Sequence, residues 1–187
     1  MINVKNEKFD EKATIANANK AISAIDQASM KILEIETESC PTGAFMTKPA
    51  GLSKPEYTIT NASGGPADAN EVLALFGKYI KFDKTNLNYC DYSPAHTVCE
   101  NGTNTTIKGG KLPGSEVYIG FKVSALTTSG NLSDCGVQYY IPGAENYILG
   151  NGYTWGWVYI DTNGKKGPDK SGKDVFYYCM GETGIAR

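Results

Sequence analysis

The sequence predicts an α+β protein in which a long N-terminal helix packs on a C-terminal antiparallel sheet. Two contrasts within the chain predict this class. Residues 1–40 contain no glycine and no proline, whereas all 21 glycines and all eight prolines follow Cys40. From about residue 117 onward, short runs of alternating apolar and polar residues are separated by turn residues, a pattern typical of strands. With 187 residues, the chain has the size of one domain or of one domain with an appendage.

The first element is a helix predicted over residues 1–38. Apolar residues recur at steps of three and four, which places them along one side of a helix. This stripe contains Ile15, Ala18, Ile22, Ile25, Ile32 and Leu33. At 1.5 Å per residue, about 30 helical residues extend on the order of 45 Å, so we expect the first turns to project beyond the rest of the protein.

The remaining residues, 39–187, are predicted to form a globular head. A short helix is expected near 69–82, because Asp68 or Asn70 can cap its first turn and the following apolar residues lie on one face. An antiparallel sheet of about four strands is expected over 117–180, from the runs at 117–126, 135–142, 152–161 and 173–180.

One of these strands is rich in aromatic residues. Strict alternation would place Tyr153, Trp155, Trp157 and Tyr159 on one face of the sheet. Such a row packs in the core against a helix in one interpretation, and forms an exposed ligand platform in the other. The exposure of these rings distinguishes the two interpretations.

Composition excludes several classes of function. The formal net charge is −2 and no basic cluster occurs, so no nucleic acid partner is expected. No run approaches the roughly 18 apolar residues of a membrane span, and residues 1–20 lack the pattern of a signal peptide. We expect no enzymatic activity, because the only histidine, His96, accompanies no nucleophile motif and the glycine-rich segments lack phosphate-binding spacing.

The five cysteines favour disulfides over a metal site. No C-x-x-C pair occurs and only one histidine is present, whereas a structural zinc site needs closely spaced ligand pairs. We predict that Cys90 pairs with Cys99 and that Cys135 pairs with Cys179, which leaves Cys40 unpaired. The alternative is a set of buried free thiols in a reducing compartment.

The segment with the most chemical information is residues 161–176, DTNGKKGPDKSGKDVF. Oxygen atoms of Asp161, Asn163, Asp169 and Asp174 could converge on a hard cation such as calcium. The spacing is not that of an EF-hand, since glycine stands at loop position four and no glutamate at position twelve. The alternative is a hairpin in which Asn163 and Gly164 form the turn, the aspartates cap backbone amides and the lysines neutralise them.

These features together resemble bacterial type IV pilin-like proteins, a group that includes the pseudopilins of type II secretion. The resemblance covers most of the chain in architecture, but its specific part is the motif Asp161-x-Asn163-Gly164-x-Lys166-Gly167-Pro168-x-x-x-Gly172-x-Asp174-x-Phe176. It implies that residues 1–38 are the soluble half of a longer helix whose hydrophobic N-terminal segment is missing, with Met1 as an artificial start.

The resemblance also implies a function. The chain would be a structural subunit of a type IV pilus or a type II secretion filament, with copies of itself or other pilin-like subunits as partners. The missing segment would anchor it in the inner membrane before assembly, and the head would be extracytoplasmic, where disulfides form. Carried over to this loop, the calcium site of some pseudopilins nominates Asp161, Asn163, Asp169 and Asp174. The alternative function is a secreted or surface binding module, adhesin-like or lectin-like, that uses exposed aromatic residues with or without calcium.

Overall fold

The computed structural model describes residues 10–36, 45–47, 58–60, 67–91, 96–122, 155–167, 169–181 and 184–185. Its two helices and antiparallel sheet confirm the α+β class. The helices are α1 (Glu11–Ile35) and α2 (Ala69–Gly77). The strands are β1 (Phe45–Thr47), β2 (Thr58–Thr60), β3 (Lys84–Thr85), β4 (Tyr89–Asp91), β5 (His96–Val98), β6 (Ile107–Lys111), β7 (Tyr118–Lys122), β8 (Gly156–Asp161), β9 (Val175–Gly181) and β10 (Gly184–Ile185).

Helix α1 begins at a side-chain cap and buries one side. The carboxylate of Asp10 accepts a hydrogen bond from the Ala13 amide at 3.1 Å, which satisfies one of the free amides of the first turn. The buried side is rich in small residues and isoleucine, and contains Thr14, Ala18, Ala21, Ile25, Ala28, Ser29 and Ile32. Residues 1–9 of the predicted helix lie outside the described residues.

The predicted stripe was wrong in one respect. Ile15 is 52% exposed, whereas Ile25 and Ile32 are completely buried. At 100° per residue, Ile15 lies about 80° around the helix from Ile25, so it leaves the packed side. Among the described residues, neither helix combines the length and apolar character required to cross a membrane.

The end of α1 is tied to the end of α2. The carboxylate of Glu36 accepts hydrogen bonds from Lys78 Nζ at 2.8 Å and from the Tyr79 hydroxyl at 2.6 Å. Burial alone would raise the pKa of Glu36, but these two donors and the charge of Lys78 lower it overall. The two helices therefore meet through a charged clamp as well as through apolar packing.

Helix α2 ends five residues before the predicted boundary near 82. It starts at a capping box, in which Asp68 accepts from the Glu71 amide and Glu71 accepts from the Asp68 amide. The inward residues of α2 are Val72, Leu73, Leu75 and Phe76.

Over the described residues, the main sheet has six strands in the order β10-β9-β8-β7-β6-β3, and every pairing within it is antiparallel. Strands β3 and β6, which lie before residue 117, and β10, which lies after residue 180, were not among the predicted strands. The predicted strand at 135–142 lies outside the described residues. Both helices pack on the same face of this sheet, and the core there includes Ile25, Phe76, Phe121 and Val158.

The prediction that the aromatic row shares one face was wrong. Trp155 is 1% exposed and lies in the helix-side core, with its ring edge-on to Phe76 at 6.2 Å. Trp157 and Tyr159 lie in a second cluster on the opposite face. Gly156, between Trp155 and Trp157, has φ +104, a conformation that suits only glycine, and this breaks the alternation at the start of β8. Tyr153 lies outside the described residues.

Candidate functional site

The candidate site is the loop that joins β8 to β9. Asp161 is the last residue of β8, Asp174 immediately precedes β9, and Asp161 is directly opposite Val175 in the strand pairing. The structure thus brings the two ends of the predicted ligand set to the base of one hairpin. Pro168, within the loop, lies outside the described residues.

Asp161 is buried and binds backbone amides. Its carboxylate accepts from the Gly164 amide at 2.6 Å, the Asn163 amide at 3.2 Å and the Val98 amide at 3.4 Å, and the residue is only 2% exposed. Burial raises the pKa of Asp161 to about 7; the three amides oppose this shift, and the charge of Asp169 adds to it. Asp161 therefore joins the loop to strand β5.

Asp174 organises the other half of the loop. One carboxylate oxygen accepts from the Lys170 amide at 2.7 Å, and the other from the Asp169 amide at 2.9 Å and from Asn163 Nδ2 at 3.1 Å. Asp174 is completely buried, and its carbonyl accepts from both the amide and the hydroxyl of Thr162. These contacts are those of a hairpin with aspartates capping backbone amides.

Two oxygens of the loop differ from the rest. Asn163 Oδ1 and Asp169 Oδ1 are buried and have no hydrogen-bond partner in the described part of the chain. Burial, together with the nearby charge of Asp174, raises the pKa of Asp169. Buried oxygens without donors are the atoms that a hard cation would satisfy.

The fit of the predicted ligands to calcium is therefore uneven. Asn163 and Asp169 offer open oxygens, whereas the carboxylates of Asp161 and Asp174 already accept three hydrogen bonds each. Within the described residues, no group of three or more His, Cys, Asp or Glu side chains is arranged to hold a metal ion. Calcium at this loop stays a prediction.

The sheet face next to Asp161 carries a residue that sequence reasoning missed. Tyr89 is 1% exposed, and its ring and hydroxyl lie where side chains at Gly109 and Gly120 would be. These glycines are directly opposite each other on β6 and β7. Glycines inside strands signal a close approach by another group, so Gly109 in the segment KGGK and Gly120 in the segment YIGFK carried the sequence signal for this contact.

The hairpin that carries Tyr89 is closed by a disulfide. Cys90 and Cys99 are bonded, with their Cα atoms 5.8 Å apart, which confirms the predicted pair. Cys179 is also disulfide-bonded; its predicted partner Cys135, like Cys40, lies outside the described residues. The pairing of Cys135 with Cys179 stays a prediction.

Aromatic rings extend across the same face. The Trp157 ring lies 5.4 Å from that of Tyr177 and 6.4 Å from that of Tyr159, between ring centres. Tyr177 is 37% exposed and Tyr159 5%. Of the four aromatic residues in the predicted row, Trp157 is the one that is both described and partly accessible.

Comparison of the chain with protein-family models, with curated proteins and with solved structures finds no match.

Proposed function

We propose that this chain is the head of a structural subunit in a pilin-like filament, either a type IV pilus or a type II secretion filament. The observation that carries the proposal is the one-sided burial of α1. One side of the helix packs on the sheet and α2, while Ile15, Met30 and Ile35 are 52%, 59% and 56% exposed on the remaining surface. Ile15 and Met30 lie about 60° apart around the helix, so a neighbouring subunit that packs along α1 would bury both.

Two further features support this function. The Asp161 to Phe176 hairpin motif is the specific part of the resemblance, and its carboxylates fix the loop by binding backbone amides. The Cys90–Cys99 disulfide and the bonded state of Cys179 suit an oxidising, extracytoplasmic compartment. The proposed partners are other copies of the chain or other pilin-like subunits, and the inner membrane through a segment preceding α1.

The first test reads the native gene upstream of the codon for Ile2. A short basic leader followed by a glutamate-bearing apolar stretch of about 20 residues is expected. Absence of both from the natural protein would overturn the filament proposal, and the binding module would become the leading candidate.

The second test disrupts the exposed apolar side chains in the full-length natural protein. Ile15→Asp with Met30→Asp is expected to leave the melting temperature within about 2 °C, because both positions are exposed, and to lower the amount of filament sheared from cells by at least tenfold. Asn19→Asp, at an exposed polar position of the same helix, is the matched control and should leave assembly unchanged. Normal filaments from the double variant would contradict the proposed packing surface.

We further propose that the β8–β9 loop binds calcium through the open oxygens of Asn163 and Asp169, with Asp161 and Asp174 holding the backbone around them. Bound calcium would supply positive charge to oxygens that lack a donor. Calcium is expected to raise the melting temperature of the wild-type chain, and Asp169→Asn to abolish most of that rise. Glu34→Gln, which removes an exposed carboxylate of α1, is the control. Equal calcium responses in all three proteins would reject the site.

A binding module is the second candidate function, and the Trp157 and Tyr177 pair is the observation that favours it. Both rings lie on the face opposite the helices, where Tyr177 is the more accessible. A sugar that stacks on them is expected to change the fluorescence of Trp157, and Tyr177→Ala to weaken that response. Trp155, buried against Phe76, takes no part.

A further inference from the structure

The β8–β9 loop separates its charges between an inner and an outer side. Four of the 17 lysines of the chain lie within residues 165–173, and all four are exposed: Lys165, Lys166, Lys170 and Lys173. We refer to these four as the lysine rim. Asp161 and Asp174, in contrast, are 2% and 0% exposed. The loop therefore presents ammonium groups to solvent and turns these carboxylates toward the protein.

The hydrogen bonds of the loop maintain this separation. Asp174 accepts from the Lys170 amide and Asp161 from the Gly164 amide, so the buried carboxylates are compensated by backbone dipoles. One rim lysine, Lys165, lies 3.4 Å from Glu100, but both side chains are at least half exposed. Such a surface pair contributes little and exchanges readily with another anion.

The lysine rim lies toward the end of the head where α1 begins. Asn17 Nδ2 donates to the carbonyl of Thr162 at 3.0 Å, which fixes the loop beside the early turns of α1. At the other end of the helix, Glu36 is bound to Lys78 and Tyr79. Glu36 follows Asn17 by 19 positions, which corresponds to about 28 Å of helix. The lysine rim and the Glu36 contacts at the end of α2 are therefore well separated.

We propose that the lysine rim is a docking surface for anionic lipid headgroups. The choice of a membrane over other anions rests on the proposed function, in which the chain preceding α1 enters a membrane and this end of the head faces the lipid. The chemistry agrees, because flexible lysines recognise diffuse negative charge as point charges, whereas bidentate recognition of a single phosphate uses arginine. The only arginine of the chain is Arg187.

The test measures co-sedimentation of the purified 187-residue chain with vesicles in the presence of chelator. Vesicles of phosphatidylcholine with 30% phosphatidylglycerol are compared with phosphatidylcholine alone, at about 50 mM and 300 mM salt. Binding is expected only to the anionic vesicles and to weaken at the higher salt. Lys166→Gln with Lys170→Gln should lower the partition coefficient about 30-fold, at the usual strength of a lysine near an anionic surface.

The matched control is Lys81→Gln with Lys84→Gln, which removes two exposed lysines on the α2 side of the head and should lower binding less than threefold. An equal loss in both variants would overturn the proposal, because net charge alone would then explain binding. No binding of the wild-type chain would also overturn it. Salt-sensitive self-association that only the Lys166 and Lys170 variant loses, without vesicle binding, would assign the rim to a second copy instead.

The failure of this proposal is distinguishable from that of the filament function. Vesicle binding concerns the head alone, whereas filament assembly is scored on the full-length protein with the Ile15 and Met30 variant. If the head binds vesicles but the gene encodes no apolar segment before α1, the lysine rim stands as a lipid-binding surface and the filament function is rejected. Conversely, filaments formed by a protein whose head does not bind vesicles would support the filament function and reject the lysine rim as a lipid-binding surface.

Discussion

The two faces of the main sheet are covered in different ways. On one face, α1 and α2 bury a continuous apolar core that includes Ile25, Ile32 and Trp155. On the other face, a hairpin of two three-residue strands, β4 and β5, covers a small cluster around Tyr89 and Tyr159. The helix side is held by apolar burial spread over many residues, whereas the hairpin side relies on one disulfide, two glycines and one buried carboxylate.

This difference follows from what each covering element can bury. A 25-residue helix contributes a full side of isoleucine and alanine to its core, and each fully buried aliphatic side chain stabilises by about 1.5 to 3 kcal/mol. An isolated hairpin is marginal in water. The Cys90–Cys99 bond and the hydrogen bond from the Val98 amide to Asp161 add the restraint that apolar contacts alone do not supply.

The largest effect is expected on the helix side. Ile25→Ala removes a fully buried side chain and should lower the free energy of unfolding by about 3 to 4 kcal/mol. Ile15→Ala is the same chemical change at an exposed position of the same helix and should cost less than about 0.5 kcal/mol. Urea denaturation measures both values; similar losses would mean that Ile25 is not part of a cooperative core.

The next effect concerns the disulfide on the hairpin side. Replacing both Cys90 and Cys99 with serine releases a loop with a sequence separation of nine residues and should lower stability by about 2 to 3 kcal/mol. Faster amide exchange is expected in β4 and β5, with α1 unchanged. Equal loss of protection in α1 would show that the two faces do not open independently.

A pH dependence should follow from Asp161. Because burial raises its folded-state pKa to about 7 from an ordinary value of 3.8, the native state binds the proton more tightly. The contribution of protonated Asp161 to the free energy of unfolding is complete below pH 3.8 and is lost as pH rises through about 7. Asp161→Asn should flatten the decline in unfolding free energy between pH 4 and 7, measured by denaturation in chelator. An unchanged slope would assign the decline to other groups.

Glu36 on the helix side should act in the opposite direction. Its pKa is lowered from 4.5, so its stabilising contribution is present above 4.5 and is lost as pH falls through its folded-state pKa. Glu36→Gln therefore serves as the control for Asp161→Asn, because it should alter stability at low pH without changing the slope near pH 7.

The smallest effect is expected from Tyr89→Phe. The Tyr89 hydroxyl is buried without a hydrogen-bond partner among the described residues, and burial raises its pKa, with a further rise from the charge of Asp161. Removing an unsatisfied hydroxyl should leave the free energy of unfolding unchanged or raise it by up to about 1 kcal/mol. A loss larger than 1 kcal/mol in thermal or urea denaturation would mean that the hydroxyl binds an ordered water.

The prediction from sequence succeeded where local pattern determines structure. Residues 11–35 form a helix because they combine three- and four-residue apolar spacing with the absence of glycine and proline. Asp68 caps α2 and was one of the two caps proposed. The bond between Cys90 and Cys99 was predictable because the two cysteines are only nine positions apart in the sequence.

The residues of the candidate site could be predicted from the sequence, but the contacts among them could not. The spacing of Asp161, Asn163, Asp169 and Asp174 identified the loop, yet it could not show which carboxylates bind amides and which oxygens lack donors. That outcome depends on contacts such as the amide of Val98, which lies 63 residues from Asp161. No local pattern carries such a pairing.

By itself, the amino-acid sequence determined the two helices, the strands β7, β8 and β9 and the chemical content of the loop, because each depends on residues within a few positions of one another. Only the tertiary structure decided that Trp155 and Trp157 face opposite sides of the sheet, since this depends on the positive φ of Gly156. The tertiary structure also placed Tyr89 above Gly109 and Gly120, because packing selects among conformations that local preference leaves equally available.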